Sequence, residues 1–157
     1  MKVFTLLASV IVTLSSCNCQ KTAAEEKELA SKAVNMQEKS ISTLEYELNT
    51  RGFYRKTTIA DKKAWVIPVR DGKAVEVAIS DADWNELNVL FQTVNKEGLA
   101  NLKAPTEKRF YDGAPMANFR VITKERTYES ATFDGGYPPA EIEKIVNKII
   151  AIGSKVE

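Results

Sequence analysis

Apolar and polar side chains alternate after residue 40, and this alternation predicts strands. Leu44, Tyr46 and Leu48 are separated by Glu45 and Glu47, which is the period of a half-buried sheet. Three further short runs with turn residues between them follow, at residues 53–59, 64–69 and 75–79. Together the four runs predict an antiparallel meander.

The third and fourth strands carry more specific predictions. One face of the third strand is apolar and consists of Trp65, Ile67 and Val69. Pro68 cannot donate to a strand ladder, so we expect this strand to lie at an edge or to be bulged. Asp71-Gly72 lies between two alternating runs and predicts a two-residue hairpin loop.

Two segments have helical spacing. In the first, Ser80 is the expected N-cap with Asp83 in capping-box position, and Gly98 is the expected terminator. Its apolar stripe is Trp84, Leu87, Leu90, Phe91 and Val94. The second ends at Gly153, and its stripe is Ile142, Ile145, Val146, Ile149 and Ile150. Each stripe predicts a helix packed on a core.

Two more strands are predicted between the helices, at residues 117–123 and 127–133, with a turn at 124–126. The resulting order is ββββα-ββα. This order predicts an α+β fold with an antiparallel sheet of about six strands and two helices packed on one face. The single globular domain is expected to span residues 41–157.

The first twenty residues have a different pattern. Lys2 precedes an apolar run at residues 3–12, and small residues lead to Cys17. This pattern is typical of a secretory signal peptide and is too short to span a bilayer. Leu14-Ser15-Ser16-Cys17 resembles the lipobox of bacterial lipoproteins. The resemblance implies cleavage after residue 16 and a diacylglycerol on the Cys17 sulfur. A plain signal peptide with a free Cys17 thiol is the alternative.

Residues 17–40 form the expected lipidated N-terminus and tether. The stretch from residue 20 to 40 is rich in Lys, Glu, Ala and Ser and has few large apolar residues. It fits a solvated spacer better than a partner-binding helix, because its apolar face is thin. Asn18 after the anchor, in place of Asp, favours the outer membrane over the inner one, with the leaflet left open. The predicted location is therefore the bacterial cell envelope.

Composition excludes several classes of function. The 157 residues include 22 basic and 21 acidic side chains and no histidine. Near-neutrality argues against a nucleic-acid partner, and the lack of histidine excludes Ser-His-Asp and Cys-His catalysis. No phosphate loop or metal-spaced cluster occurs, so we expect neither cofactor nor metal. Cys19, the one other cysteine, lies too close to Cys17 to suggest a disulfide framework.

Positive charge concentrates at residues 51–73, which carry seven basic and two acidic side chains. Such a surface could meet anionic lipid headgroups or acidic glycans. The alternative, which we favour, is that these are solvent-facing strand and turn residues.

Two loops repeat an aromatic-Asp-Gly sequence ahead of a proline. If the loops lie together, they would form a binding patch for a peptide or a sugar face. The candidate residues are Phe110, Tyr111, Asp112, Phe133, Asp134 and Tyr137. Alternatively, the two aspartates fix turns and the aromatic rings pack beneath the last helix. A third interpretation makes Asp112 and Asp134 the acid/base pair of a hydrolase acting on envelope glycans.

Residues 128–142, with residues 104–106 and 112–114, resemble the C-terminal signature of small bacterial envelope lipoproteins of unknown function. This resemblance implies no activity. The expected function is a non-catalytic binding or interaction module, joined to the membrane by its lipid, with an envelope protein or glycan as partner. A glycan hydrolase and an inhibitor of a secreted enzyme are the alternatives.

Overall fold

A computed structural model describes residues 43–155. The predicted signal peptide, Cys17 and the tether lie outside these residues. The described part is an α+β fold with an antiparallel sheet and two helices, as the sequence predicts. The strands are β1 (Thr43–Asn49), β2 (Tyr54–Ala60), β3 (Lys63–Ile67), β4 (Val75–Ala78), β5 (Met116–Ile122), β6 (Thr127–Glu129) and β7 (Phe133–Asp134). The helices are α1 (Asp81–Gln92) and α2 (Glu143–Gly153).

The sheet order is β4-β3-β2-β1-β5-β6, and β7 pairs with β5. The meander of the first four strands is confirmed, and β5 lies against β1 on its other side. The turn between β2 and β3 consists of Asp61 and Lys62, both in the left-handed region at φ 47° and 61°. Two such residues suit the twist of a tight hairpin.

The core lies between one face of the sheet and both helices. In the sheet, Leu44, Phe119 and Val121 are fully buried, because cross-strand pairing places them on the same face. From the helices, Leu87 and Ile149 pack into the same cluster. The predicted apolar stripes therefore mark the buried helix faces, although Trp84, Leu90, Val94 and Ile150 are only partly buried.

The third strand differs from its prediction. Ala64 and Val66 face the core, whereas Trp65 and Ile67 are half-buried on the opposite face. The strand ends at Ile67, before Pro68, and lies between two neighbours, so it is neither an edge nor bulged at proline. The alternation was misread because both faces of β3 carry apolar side chains.

The prediction of a two-residue Asp71-Gly72 hairpin loop is also wrong. The last cross-strand pair joins Val66 to Val75, so a longer loop connects the strands. A turn does form at the expected place: the Gly72 N–H donates to the Val69 carbonyl, and Asp71 has φ 58°. Pro68 is consistent with this difference, because it cannot donate to a ladder and follows directly on the end of β3.

Two further boundaries were predicted wrongly. Helix α1 ends at Gln92, and Gly98 lies inside a 3-10 helix, Lys96–Asn101. The predicted strand at 127–133 is two strands, because the chain leaves the ladder at Ser130. There the Ser130 hydroxyl accepts the Phe119 N–H and the Ala131 N–H donates to the Leu99 carbonyl. The Ser80 cap of α1 is confirmed, since its hydroxyl accepts the Asp83 N–H.

Candidate functional site

Exposed apolar side chains concentrate at one end of the sheet, where β1 and β3 finish and β2, β4 and β5 begin. Eight large apolar side chains are exposed in the described part of the chain, and seven lie at or beside this end. They are Phe53, Val69, Val75, Phe110, Tyr111, Met116 and Tyr137. We call this group the apolar end. The eighth, Val89, lies on α1.

The most exposed aromatic pair lies on a second 3-10 helix, Lys108–Tyr111. Phe110 and Tyr111 have 72% and 70% of their surface exposed. The Arg109 guanidinium lies 4.3 Å from the centre of the Phe110 ring. Asp112 then ends this helix in the left-handed conformation, at φ 58°, and its side chain is exposed. The Phe110 and Tyr111 rings therefore project from a short helical turn with a defined end.

Asp134 holds this turn from below. Its buried carboxylate accepts the backbone N–H groups of Lys108 and Arg109 at 2.6 and 3.1 Å. It also accepts the Thr106 hydroxyl and the Arg109 guanidinium, the latter at 2.9 Å. Burial by itself would raise the pKa of Asp134, but these hydrogen bonds together lower it to about 2. Asp134 is therefore charged near neutral pH and acts as a clamp on the segment that carries Phe110 and Tyr111.

Tyr137 joins the same assembly. Its N–H donates to the Asp134 carbonyl, and the Lys108 ammonium donates to its hydroxyl at 2.6 Å. The ammonium also lies 3.8 Å from the centre of the Tyr137 ring. The hydrogen bond to Tyr137 raises the pKa of Lys108. Phe110 and Tyr137 therefore each have a cation on one ring face.

Two open grooves lie at the apolar end. The first, of about 430 Å³, lies between residues 50–52 and residues 112–115. The second, of about 310 Å³, lies between residues 51–54 and residues 68–70. Both are lined by Arg51 and Gly52, so the turn between β1 and β2 forms a ridge between neighbouring grooves.

The structure separates the six predicted patch residues into two groups. Phe110, Tyr111 and Tyr137 are exposed, and Asp112 is exposed beside them. Phe133 is a correction: it is fully buried in the core and stacks on Tyr46 at 6.3 Å between ring centres. Asp134 is likewise buried and positions the loop rather than facing a ligand. For these two residues the alternative interpretation holds: Phe133 packs in the core, and Asp134 fixes a turn.

The proposed acid/base pair lacks the required chemistry. A general acid needs a proton near neutral pH, and the pKa of Asp134 lies at about 2. Its carboxylate oxygens are also occupied by four hydrogen-bond donors. Asp112 lines the first groove, but its buried counterpart cannot supply the complementary proton transfer.

Three of the seven basic side chains at residues 51–73 form ion pairs within the fold. Lys56, Lys62 and Lys63 pair with Glu45, Asp81 and Glu76, at 2.6–2.9 Å. The Arg55 guanidinium donates to the Gly153 carbonyl at 2.7 Å. These contacts agree with the interpretation that the cluster consists mainly of ordinary strand and turn residues.

Sequence reasoning missed Phe53, Val69 and Met116 as site residues, and it treated Arg51 only as one of the basic residues at 51–73. Each stands singly in a turn or at a strand boundary, and cross-strand register brings them to one end of the sheet. The one available signal was their position next to turn residues. Among residues 43–155 no group of three acidic, Cys or His side chains could hold a metal ion.

The helices described here are too short or too polar to cross a membrane. The chain matches no protein-family model, and neither a curated protein nor a solved structure matches it. Its function is therefore inferred from its own residues and contacts.

Proposed function

We propose that this protein is a lipid-anchored module of the bacterial envelope that binds a partner, without catalysis, through its apolar end. The lipobox-like Leu14–Cys17 segment supports the anchor. The concentration of seven exposed apolar side chains at one end of the sheet carries the binding proposal. Contiguous exposed apolar surface in a soluble domain marks an interaction site more often than isolated apolar residues do.

The clamp beneath the aromatic pair strengthens this proposal. Ordering an exposed loop costs conformational entropy, and a loop ordered before binding loses less affinity to that cost. Asp134 fixes the backbone of Lys108 and Arg109 directly before Phe110 and Tyr111. Aromatic and arginine side chains are enriched among binding hot spots. The loop is therefore suited to contact a partner in the conformation it already has.

The strand directions separate the apolar end from the start of the described chain. β1 begins at Thr43, at the opposite end of the sheet from the apolar end. Its seven residues span about 20 Å at roughly 3.3 Å per residue. Thr43 and the apolar end therefore lie at opposite ends of β1.

A crosslinking experiment tests the binding proposal. Full-length protein carrying a C-terminal tag is crosslinked in intact envelopes and then purified. We expect a discrete adduct that falls at least tenfold in a Phe110→Ser/Tyr111→Ser variant and persists in Val89→Ser, the matched change on α1. Circular dichroism verifies that both variants are folded. An adduct equally strong in all three proteins, or none in the wild type, would contradict the proposal.

The anchor is tested separately by Cys17→Ser. Without the thiol we expect unprocessed precursor that lacks the mass of an acyl group, measured by mass spectrometry of the intact protein. A normally processed, water-soluble product would show that the lipoprotein proposal is wrong. This outcome would not bear on the binding proposal, which rests on residues 43–155 alone.

A further inference from the structure

We propose that the two grooves of the apolar end bind an extended peptide segment of the partner, one with apolar side chains and at least one carboxylate. This inference rests on the proposed binding function and specifies its ligand. The main support for this inference is that the two neighbouring grooves share the residues Arg51 and Gly52. A linear occupant can cross the Gly52 ridge and fill both grooves.

The shape of the grooves favours a chain over a membrane. A bilayer surface is broad and flat on this scale and would leave both concave grooves unfilled. Their volumes, about 430 and 310 Å³, lie at the small end of the range of about 300–1,000 Å³ for ligand sites. Each groove therefore suits a few side chains of an extended segment.

The lining of the second groove favours a peptide over a glycan. Phe53, Tyr54, Pro68 and Val69 provide apolar surface, and the groove has no side-chain amide or carboxylate to bind sugar hydroxyls. Arg70 already lies 5.3 Å from the centre of the Tyr54 ring, which occupies one ring face. Apolar side chains of a peptide would bury this surface and gain the hydrophobic contribution of that burial.

The charges predict where a carboxylate binds. Arg51, which lines both grooves, makes no ion pair or hydrogen bond through its side chain within residues 43–155. Arg70 donates only to neutral oxygens, at 2.6 Å to Asn49 Oδ1 and 3.3 Å to the Thr50 carbonyl. Guanidinium groups bind carboxylates through paired, charge-assisted hydrogen bonds. Asp112, on the far wall of the first groove, is placed to accept a backbone N–H of the peptide.

Gly52 offers a direct way to block the grooves. A Cβ atom added there would have no neighbour within 4 Å, and its backbone is outside the left-handed region. A Trp side chain at this position would therefore fill groove space without disturbing the fold. Val89→Trp on α1, whose side chain is 64% exposed, is the matched control.

The experiment selects ligands from a phage-displayed library of random ten-residue peptides on the immobilised full-length protein. We expect the enriched sequences to combine Asp or Glu with large apolar residues. An enriched peptide is then synthesised and its Kd measured by fluorescence anisotropy. Gly52→Trp should weaken binding at least tenfold, and Val89→Trp should not change it. Arg51→Glu should weaken binding of this peptide at least tenfold. The same substitution should strengthen binding of a peptide in which Lys replaces the acidic residue.

Several results would overturn the inference. These are no enrichment, an enriched set without carboxylates, or binding that survives Gly52→Trp. Oligogalacturonate or phosphatidylglycerol vesicles could also bind more tightly than the peptide. If Gly52→Trp weakens that binding, the grooves would be assigned to a glycan or a membrane instead. If the library fails while the Phe110- and Tyr111-dependent adduct persists, the peptide inference is wrong and the proposed function stands. Loss of that adduct as well would reject both.

Discussion

The same local sequence, aromatic-Asp-Gly, has opposite roles in two regions of this protein. Residues 111–113 project into solvent, with 70% of Tyr111 exposed. Residues 133–135 lie inside the fold, with Phe133 and Asp134 fully buried. In the exposed copy the aspartate adopts the left-handed conformation, whereas in the buried copy the following Gly136 does so, at φ 87°.

Pairing with β5 explains the burial of the second copy. Phe133 lies opposite Ala117 on the core face, and Gly135 meets Pro115 and Leu48 so closely that an added Cβ would lie 2.6 and 2.7 Å from their side-chain carbons. Those distances exclude any larger residue without local movement. The exposed copy follows a 3-10 helix and pairs with no strand.

The two copies also depend on each other, because the buried aspartate holds the segment that leads into the exposed one. Asp134 binds the backbone of Lys108 and Arg109, immediately before Phe110. One copy therefore stabilises the fold, and the other exposes its aromatic ring to solvent. Substitutions in the two regions should separate these roles.

The largest difference is expected between the phenylalanines. Phe133→Ala should lower the free energy of unfolding by about 3–5 kcal/mol, because it leaves a cavity in the core. Phe110→Ala should change it by less than about 0.5 kcal/mol, because the ring is exposed. Urea denaturation of both variants measures the difference. Equal destabilisation would show that the Phe110 ring is part of the folded core after all.

The aspartates form the next matched pair. Asp134→Asn should cost roughly 3–5 kcal/mol, because it leaves Arg109 without its buried counter-charge. Asp112→Asn should leave stability nearly unchanged, because asparagine tolerates the left-handed conformation. Thermal unfolding compares them. A stable Asp134→Asn protein with ordinary hydrogen-exchange protection at residues 108–109 would refute the clamp.

Acid should release the clamp in a defined pH range. The pKa of Asp134 is about 2 in the fold against an ordinary value of 3.8, so its charged form stabilises the native state above about pH 4. This contribution is lost as pH falls from about 4 to 2 and the carboxylate takes up a proton. The pKa values of Asp81 and Asp83 are also lowered, chiefly by hydrogen bonds from lysines, and add to the acid sensitivity.

Denaturation curves between pH 2 and 7 measure this dependence. Wild type should lose stability more steeply below pH 4 than Asp134→Asn does, while Asp112→Asn should follow the wild type. Parallel curves for wild type and Asp134→Asn would argue that the Asp134 carboxylate is not the stabilising group.

The smallest effect concerns Tyr46, which stacks on Phe133. Burial raises the pKa of Tyr46 to about 12. The Tyr46 hydroxyl is buried and forms no hydrogen bond with any residue among 43–155. Tyr46→Phe should therefore raise the free energy of unfolding by about 1 kcal/mol, measured by urea denaturation. A loss of stability would reveal a bonded hydroxyl, for example to buried water.

Much of the fold could be predicted from the sequence because its patterns are local. The 3.6-residue spacing of residues 142–150 identified α2, and the Ser80 cap identified the start of α1. β3 was oriented wrongly because apolar residues on both of its faces give no local preference, and the register with β2 decides which side chains face the core. Likewise, the break after β6 depends on contacts of Ser130 and Ala131 with distant residues.

The candidate site was less predictable. The sequence pointed to both aromatic-Asp-Gly loops, and the structure does bring them together through Asp134. The sequence did not reveal which rings are exposed. It also did not reveal that Phe53, Val69 and Arg51 share the same end of the sheet. Exposure depends on neighbours that are distant in sequence, and no local periodicity encodes them.

By itself, the sequence determined the alternation of strands and helices, the α+β class and the turn chemistry of the aspartates and glycines. These follow from side-chain spacing and backbone preferences that act over a few residues. Only the tertiary structure decided that Phe133 is core, that Asp134 is a clamp and that Phe110 and Tyr111 are surface. Strand register and loop packing, which join residues far apart along the chain, assign two similar local sequences to opposite environments.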